Sequence, residues 1–344
     1  MDIWDVLGYA VSIASKFCNH FERYPVMKDY GTVPADELDL KLDIYTRDSW
    51  SQTKIWDEDQ PVMVFFHGGG YVGYDREHVP PHIVQSCLTR GWPLVSPDYR
   101  KLPQVKGEDI LSDAKAAYDF VVERLLGLLT SGASKLPMKN VIVAGASAGG
   151  NLAILCAHHI EPRPVALLDY YAPTTVQDDF FSSSKVLGPV SLEPSDVERF
   201  LREPVSLGIT PPSAAFNLES LTSDLSRNPK FQPLERELYP RMVLFPWLVQ
   251  QNLFQDLMGS VDKGIDNASW ASFPPTVIVH GSVDMTVPIA ASEKLVKATD
   301  ATLFVVHGQG HAFDEPLFLG DLGLYEVEKA WKALENVVKV HQAR

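Results

Sequence analysis

Two short stretches of this chain carry residue types suited to acyl chemistry. The first is Gly145-Ala146-Ser147-Ala148-Gly149, set between the apolar run VIVA and the helical pattern NLAIL. A serine on so tight a strand-to-helix turn is pushed outward by the bent backbone, and small neighbours permit the bend. An exposed hydroxyl of that kind suits attack on a carbonyl carbon. The bland alternative is a glycine-rich helix start that holds a phosphate, and G-x-S-x-G arises by chance in roughly one chain in ten of this size. The second stretch is His67-Gly68-Gly69-Gly70-Tyr71, directly after the apolar run VMVFF. Three glycines let backbone N–H groups converge on one point with no side chain in the way, which is how an oxyanion is held during acyl transfer. H-G-G-G arises by chance in only about three such chains in a thousand, so the pair of motifs outweighs either alone.

A serine nucleophile needs a base, and the base needs an acid to orient it. In an open parallel sheet both must sit at the carboxyl edge, just past late strands. His311 lies in GQGHAFD after TLFVVH, and Asp284 lies in HGSVDMTVP after TVIVH. The order Ser, Asp, His suits this architecture. Separations of 137 and 27 residues leave room for an insertion before the acid. Asp314 is the competing acid, but it follows His311 and would reverse the order.

Most of the ten histidines take structural readings. His67 is expected to brace the glycine loop by hydrogen bonds. His280 and His307 sit at strand ends, and His158 and His159 continue the helix after Ser147, where adjacent histidines alone do not make a metal site. His20, His78, His82 and His341 belong to no motif. In Asp98-Tyr99-Arg100 the arginine is expected to pair with Asp113 or another acid.

Strand-like runs fall at Val62 to Phe66, Pro93 to Ser96, Val141 to Ala144, Val165 to Leu168, Thr276 to His280 and Thr302 to His307. They are short and rich in Val, Ile, Leu and Phe, as strands buried on both faces are. Helical spacing links Ile110, Ala114, Ala117, Val121 and Leu125, and again Val327, Ala330, Leu334, Val337 and Val340. The alternation breaks from 174 to 270, a span of 97 residues with nine prolines. That is too long for a simple loop and reads as a cap. Within it Ser195 and Glu198 suggest a capping box, and Met242 to Met258 is an apolar stretch holding Phe245, Trp247, Leu248, Phe254 and Leu257. A helix over 2–23 is expected to pack with this cap. One α/β domain is therefore expected, with a core over 46–173 and 271–344 and cap elements over 1–45 and 174–270. Tyr71 and Trp247 are candidate pocket residues.

Composition narrows the partners. The apolar fraction is 45% and the charged fraction 22%, enough to build a large core and to exclude disorder. The formal charge of −14, with no basic cluster, disfavours nucleic acid. Cys18, Cys87 and Cys156 support neither a disulfide framework nor a zinc site, so a reducing cytoplasmic setting is expected. The first residues carry acids where a signal peptide has cations. Asn140 to Ile160 is uncharged for 21 residues, but glycines and Asn151 at its middle mark a strand and helix rather than a membrane span.

These stretches resemble the hormone-sensitive-lipase-like branch of the α/β-hydrolase superfamily, through HGGGYVG at 67–73 and GASAGGNLA at 145–153. SPDYRKLP at 96–103, with the helix EDILSDAKAAYDFV, and FPPTVIVHGSVDMTVP at 273–288 are similar as well. The resemblance implies an α/β-hydrolase fold, a mostly parallel sheet with helices on both faces and a helical cap. It implies Ser147 as nucleophile, Asp284 as acid, His311 as base and the N–H groups of Gly69, Gly70 and Ala148 as oxyanion donors. It implies no metal or organic cofactor. One departure is Ala146, where the family usually carries an acid before the nucleophile. The expected activity is hydrolysis of a small or medium hydrophobic acyl ester. An acyl transfer, cyclisation or elimination in small-molecule biosynthesis, amide hydrolysis of the arylformamidase kind, and a receptor built on a retired hydrolase remain the alternatives. A homodimer is left open.

Overall fold

The computed structural model describes residues 21–27, 40–47, 56–130, 132, 134–182, 192–210, 240–266 and 269–343. Its strands are β1 (Phe21–Met27), β2 (Lys41–Arg47), β3 (Val62–Phe66), β4 (Leu94–Pro97), β5 (Val141–Ala146), β6 (Ala166–Tyr170), β7 (Thr276–Gly281) and β8 (Thr302–Val306). They form one eight-stranded sheet in the order β1-β2-β4-β3-β5-β6-β7-β8. Every pair from β4 to β8 is parallel, while β1 and β2 add an antiparallel edge. All six strands expected from the sequence are present, with ends displaced by one or two residues.

The two-residue period of the strands sorts side chains to two cores. Val62, Val64, Phe66, Val141 and Val143 face one side. There α2 (Gly107–Leu129) and α3 (Ala148–His159) cover them, with Ile110, Ala114, Val121 and Leu125 turned inward. Met63, Phe65, Ile142 and Ala144 face the other side. There α1 (Pro81–Thr89) and α8 (Tyr325–Gln342) pack through Ile83, Cys87, Val327, Ala330, Trp331 and Leu334. With both faces covered, only the strand ends are open for a site. The buried stripe on α8 ends at Val338, and Val340 is exposed.

Two expectations are corrected. The described part of 1–45 extends the sheet and does not join the cap: residues 21–23, expected in a helix, begin β1, which pairs antiparallel with β2. Pro25 is tolerated there because β1 is an edge strand with one neighbour. Residues 2–20 lie outside the described residues. The helix α4 (Pro194–Leu201) is capped by Glu193, not Ser195. Pro194 takes the first helical position, which moves the box two residues upstream, so Asp196 accepts the Glu193 N–H at 2.9 Å.

Between β6 and β7 the described residues hold α4, α5 (Leu244–Gln250) and α6 (Phe254–Met258) and no strand. The helix α7 (Ala290–Thr299) then links β7 to β8. No helix among the described residues is long and apolar enough to cross a membrane.

Candidate active site

Ser147 is the single residue between β5 and α3, and its backbone stands at φ 54°, ψ −122°. A non-glycine residue there costs about 1–3 kcal/mol, which the surrounding packing must offset. The Ser147 N–H donates to Tyr170 O at 2.9 Å, and its carbonyl accepts the Asn151 N–H at 3.1 Å. The flanking glycines are sterically required. A Cβ at Gly145 would stand 2.2 Å from Gly149 O, and one at Gly149 would stand 2.0 Å from Phe66 O. Any side chain at either position would force the helix off the sheet.

His311, on the loop after β8, places Nε2 2.9 Å from Ser147 Oγ. Its Nδ1 lies 2.7 Å from Asp284 Oδ2 on the loop after β7. A carboxylate only accepts, so Nδ1 carries the proton and Nε2 is free to accept from the serine. The other carboxylate oxygen, Oδ1, takes the N–H groups of Thr286 and Val287 at 2.8 and 2.9 Å. Burial alone would raise the Asp284 carboxyl. Hydrogen bonds from His280 and His311 and the Val287 N–H outweigh it and hold the group well below the usual carboxylate range. His280, read from the sequence as structural, is a second donor to this acid, with Nε2 2.9 Å from Val287 O and 3.3 Å from Asp284 Oδ2. Its Nδ1 accepts from Ser292 Oγ at 2.7 Å. Tyr171 lays its ring edge-on to His311, centroids 4.8 Å apart.

The glycine loop after β3 reaches the serine turn: a Cβ at Gly68 would lie 3.5 Å from Ser147 Cβ. Gly69 and Gly70 adopt φ of 100° and 59°, where side chains are strained. Ala148 is the first residue of α3, so its N–H has no intrahelical partner. His67 is fully buried and stacks on Tyr99 with centroids 4.4 Å apart. Burial and the neighbouring Lys101 push its imidazole well below the ordinary range, so it is neutral. The Lys101 Nζ stands 2.9 Å from His67 Nε2. This buried lysine escaped the sequence reading.

Tyr71 is only 1% exposed, with its hydroxyl donating to Asn151 Oδ1 at 2.7 Å. It braces the loop from behind. The segment before and within α5 packs directly on the loop: a Cβ at Gly70 would strike the Phe245 ring at 2.6 Å, and one at Gly73 would strike Met242 Sδ at 2.3 Å. Arg241, also missed from sequence, donates through Nε to Val72 O at 3.0 Å and through a terminal nitrogen to Leu102 O at 3.0 Å. Trp247 is partly buried against the α2–α3 core.

Arg100 pairs with Asp113 as expected, through contacts of 2.8 to 3.1 Å. His158 packs between Trp270 and Phe273, and burial pushes its imidazole down to about 4. His159 lies 2.8 Å from Val261 O. Asp314 is sealed from solvent and meets His82 at 2.8 Å. Cavities of 660 and 280 Å³ are lined from the 154–163, 174–179, 255–266 and 269–273 stretches with Lys294, and include none of Ser147, Asp284 or His311.

The family model of the alpha/beta hydrolase fold matches residues 63–315. The chain belongs to this family, in its hormone-sensitive-lipase-like branch. The chain is 26% identical over 277 residues to the probable carboxylesterase M8 of Phoma sp., covering 75% of this chain and 80% of that one. It is 25% identical over 312 residues to the non-reducing polyketide synthase Preu3 of Preussia isomera, covering 81% of this chain and 12% of the synthase. The chain thus spans 12–14% of the length of the first synthases it matches. An alpha/beta hydrolase superfamily protein from Enterococcus faecalis superposes with a TM-score of 0.63 at 16% identity, covering 92% of this chain and 98% of that one.

Proposed function

We propose that the protein hydrolyses carboxylic esters with small or medium hydrophobic acyl groups through a covalent acyl-serine. The observation that carries this reading is the unbroken hydrogen-bond line from Ser147 Oγ through His311 to Asp284. Ser147 Oγ attacks the carbonyl carbon while His311 Nε2 takes its proton. Asp284 holds the imidazole in the required tautomer and stabilises the cation that forms. The N–H groups of Gly69, Gly70 and Ala148 hold the oxyanion, and each such donor is worth ~3 kcal/mol in comparable sites. Collapse of the tetrahedral intermediate expels the alcohol, which takes the proton from His311. Water, deprotonated by the same nitrogen, then releases the acid and restores the serine.

The size of the acyl group follows from the apolar residues near the loop. Phe245 stands over Gly70, with Trp247 two residues further along α5. An aromatic ring so close to the glycine loop suits a short chain. The test is turnover of p-nitrophenyl acetate and butyrate against long-chain esters. The short esters are expected to react faster, and Ser147→Ala is expected to be inactive yet folded. Equal turnover by that variant would remove Ser147 from the mechanism.

A second reading draws on the polyketide synthase relatives: the same acyl-serine would pass its acyl group to a substrate hydroxyl, or close a ring, in small-molecule biosynthesis. A wild-type protein that is labelled at Ser147 but hydrolyses no simple ester or amide would favour it.

A further inference from the structure

Lys101 is fully buried, yet it has no carboxylate at hydrogen-bond distance among the described residues. Its side-chain nitrogen lies 3.4 Å above the Tyr99 ring and 2.9 Å from His67 Nε2. The cap closes over it: the Lys101 N–H donates to Ser206 O at 3.0 Å, and a Cβ at Gly208 would lie 2.9 Å from Lys101 Cε. Burying an amine in such a place is costly, so it calls for a role.

The His67 imidazole defines that role. Its Nδ1 lies 2.8 Å from Gly68 O, and a carbonyl only accepts, so the proton sits on Nδ1. Nε2 of the neutral ring is then an acceptor, and Lys101 Nζ is the donor that meets it. Tyr99 fixes the same ring from its face and donates its hydroxyl to His67 O at 2.7 Å. The Gly68 carbonyl and the Gly69 N–H belong to one planar trans peptide, so they point in opposite directions. A carbonyl held toward His67 therefore leaves the Gly69 N–H aimed the other way.

We infer that Lys101 is a positioning residue for the oxyanion site: through His67 it fixes the Gly68–Gly69 peptide so that the Gly69 N–H is pre-aimed at the tetrahedral intermediate. The inference rests on the ester-hydrolase reading of Ser147. Pre-aimed donors act on the transition state and not on the bound ester, so the effect belongs in kcat. Nothing in SPDYRKLP distinguishes this lysine from a solvated one.

The experiment compares wild type and Lys101→Met on p-nitrophenyl butyrate, together with inhibition by an alkyl trifluoromethyl ketone, which forms an oxyanion on the serine. In the variant kcat is expected to fall about 10- to 100-fold with KM within about 3-fold, and ketone affinity to fall in parallel. Unchanged kcat, or a loss of thermal stability alone, would overturn the inference. Should the variant fail to fold, imidazole nitrogen NMR on the wild-type protein decides. His67 is expected to be neutral with its proton on Nδ1, and a proton on Nε2 would overturn the assignment. Fluorophosphonate labelling of the wild type separates the two failures. No labelling defeats the ester-hydrolase reading itself, whereas labelling with an unaffected Lys101→Met defeats only the role of the lysine.

Discussion

Two histidine–carboxylate pairs meet at the loop after β8, one joining it to the loop after β7 and the other to α1, and their contact distances barely differ. Asp284 meets His311 at 2.7 Å, and Asp314 meets His82 at 2.8 Å. Their surroundings differ. The His311 side chain keeps 18% of its surface exposed and turns its second nitrogen to Ser147, whereas His82 and Asp314 are both sealed at 0%. The sealed pair is one of several ties between the 78–85 segment, which runs into α1, and the loop that carries His311. His82 N–H donates to Leu317 O at 3.2 Å, Leu319 N–H to Gln85 Oε1 at 2.7 Å, and His78 stands 3.5 Å from Glu315. Similar chemistry thus serves two ends. In the proposed mechanism the first pair serves proton transfer at Ser147, and the second ties down the loop that carries His311.

Exchanging amides for the two carboxylates breaks the comparison most sharply. Asp284→Asn keeps the shape but favours the wrong tautomer of His311, a change that costs about 10⁴ in turnover in a serine protease. A fall in kcat of at least ~100-fold near neutral pH is expected here, with fluorophosphonate labelling of Ser147 slowed as well. Asp314→Asn is expected to stay within ~10-fold in kcat but to lose stability. Breaking a sealed pair leaves one group unmatched, at a cost on the order of 3 kcal/mol or more, read from denaturant midpoints. If the two variants exchange behaviours, the acid has been misassigned while the serine and histidine stand.

A third buried carboxylate sharpens the contrast. Asp169 on β6 accepts the Ala172 N–H at 3.0 Å, and burial, only partly opposed by His280 and that N–H, pushes it up to about 7. An acid raised in this way favours the folded state fully only below its unfolded value near 4, and the penalty grows as pH climbs toward 7. Asp169→Asn should therefore gain stability relative to wild type by roughly 2 kcal/mol between pH 5 and pH 8. A difference independent of pH would show that Asp169 does not titrate in that range. The smallest expected effect lies in the cap. Trp247→Ala should shift acyl chain-length preference a few-fold if the ring lines the site, and an unchanged profile with lower stability would place it in the core.

The serine turn and glycine loop were legible because their steric demands fall on consecutive residues: Gly145 and Gly149 each touch backbone that no side chain can approach. Strands β3 to β7 are legible because burial on both faces favours short runs rich in apolar residues, and the partly exposed edge strand β8 because TLFVV is itself a run of β-formers. The β1 edge is not. FERYPVM mixes charges, a proline and β-formers, and its strand character comes from pairing with β2 across a gap in sequence. Lys101, Arg241 and His280 were equally hidden, because what each does depends on partners brought from 34, 169 and 4 residues away. A lysine beside an arginine reads as surface until the cap is seen to cover it.

The central claim is that Ser147 is an activated nucleophile, and covalent labelling addresses it most directly. Wild-type protein and Ser147→Ala would be incubated with a fluorophosphonate at neutral pH, followed by intact mass and peptide mapping. The wild type is expected to gain one adduct, mapped to Ser147, and the variant none. A wild type that gains no adduct, or gains it on another residue, would contradict the account.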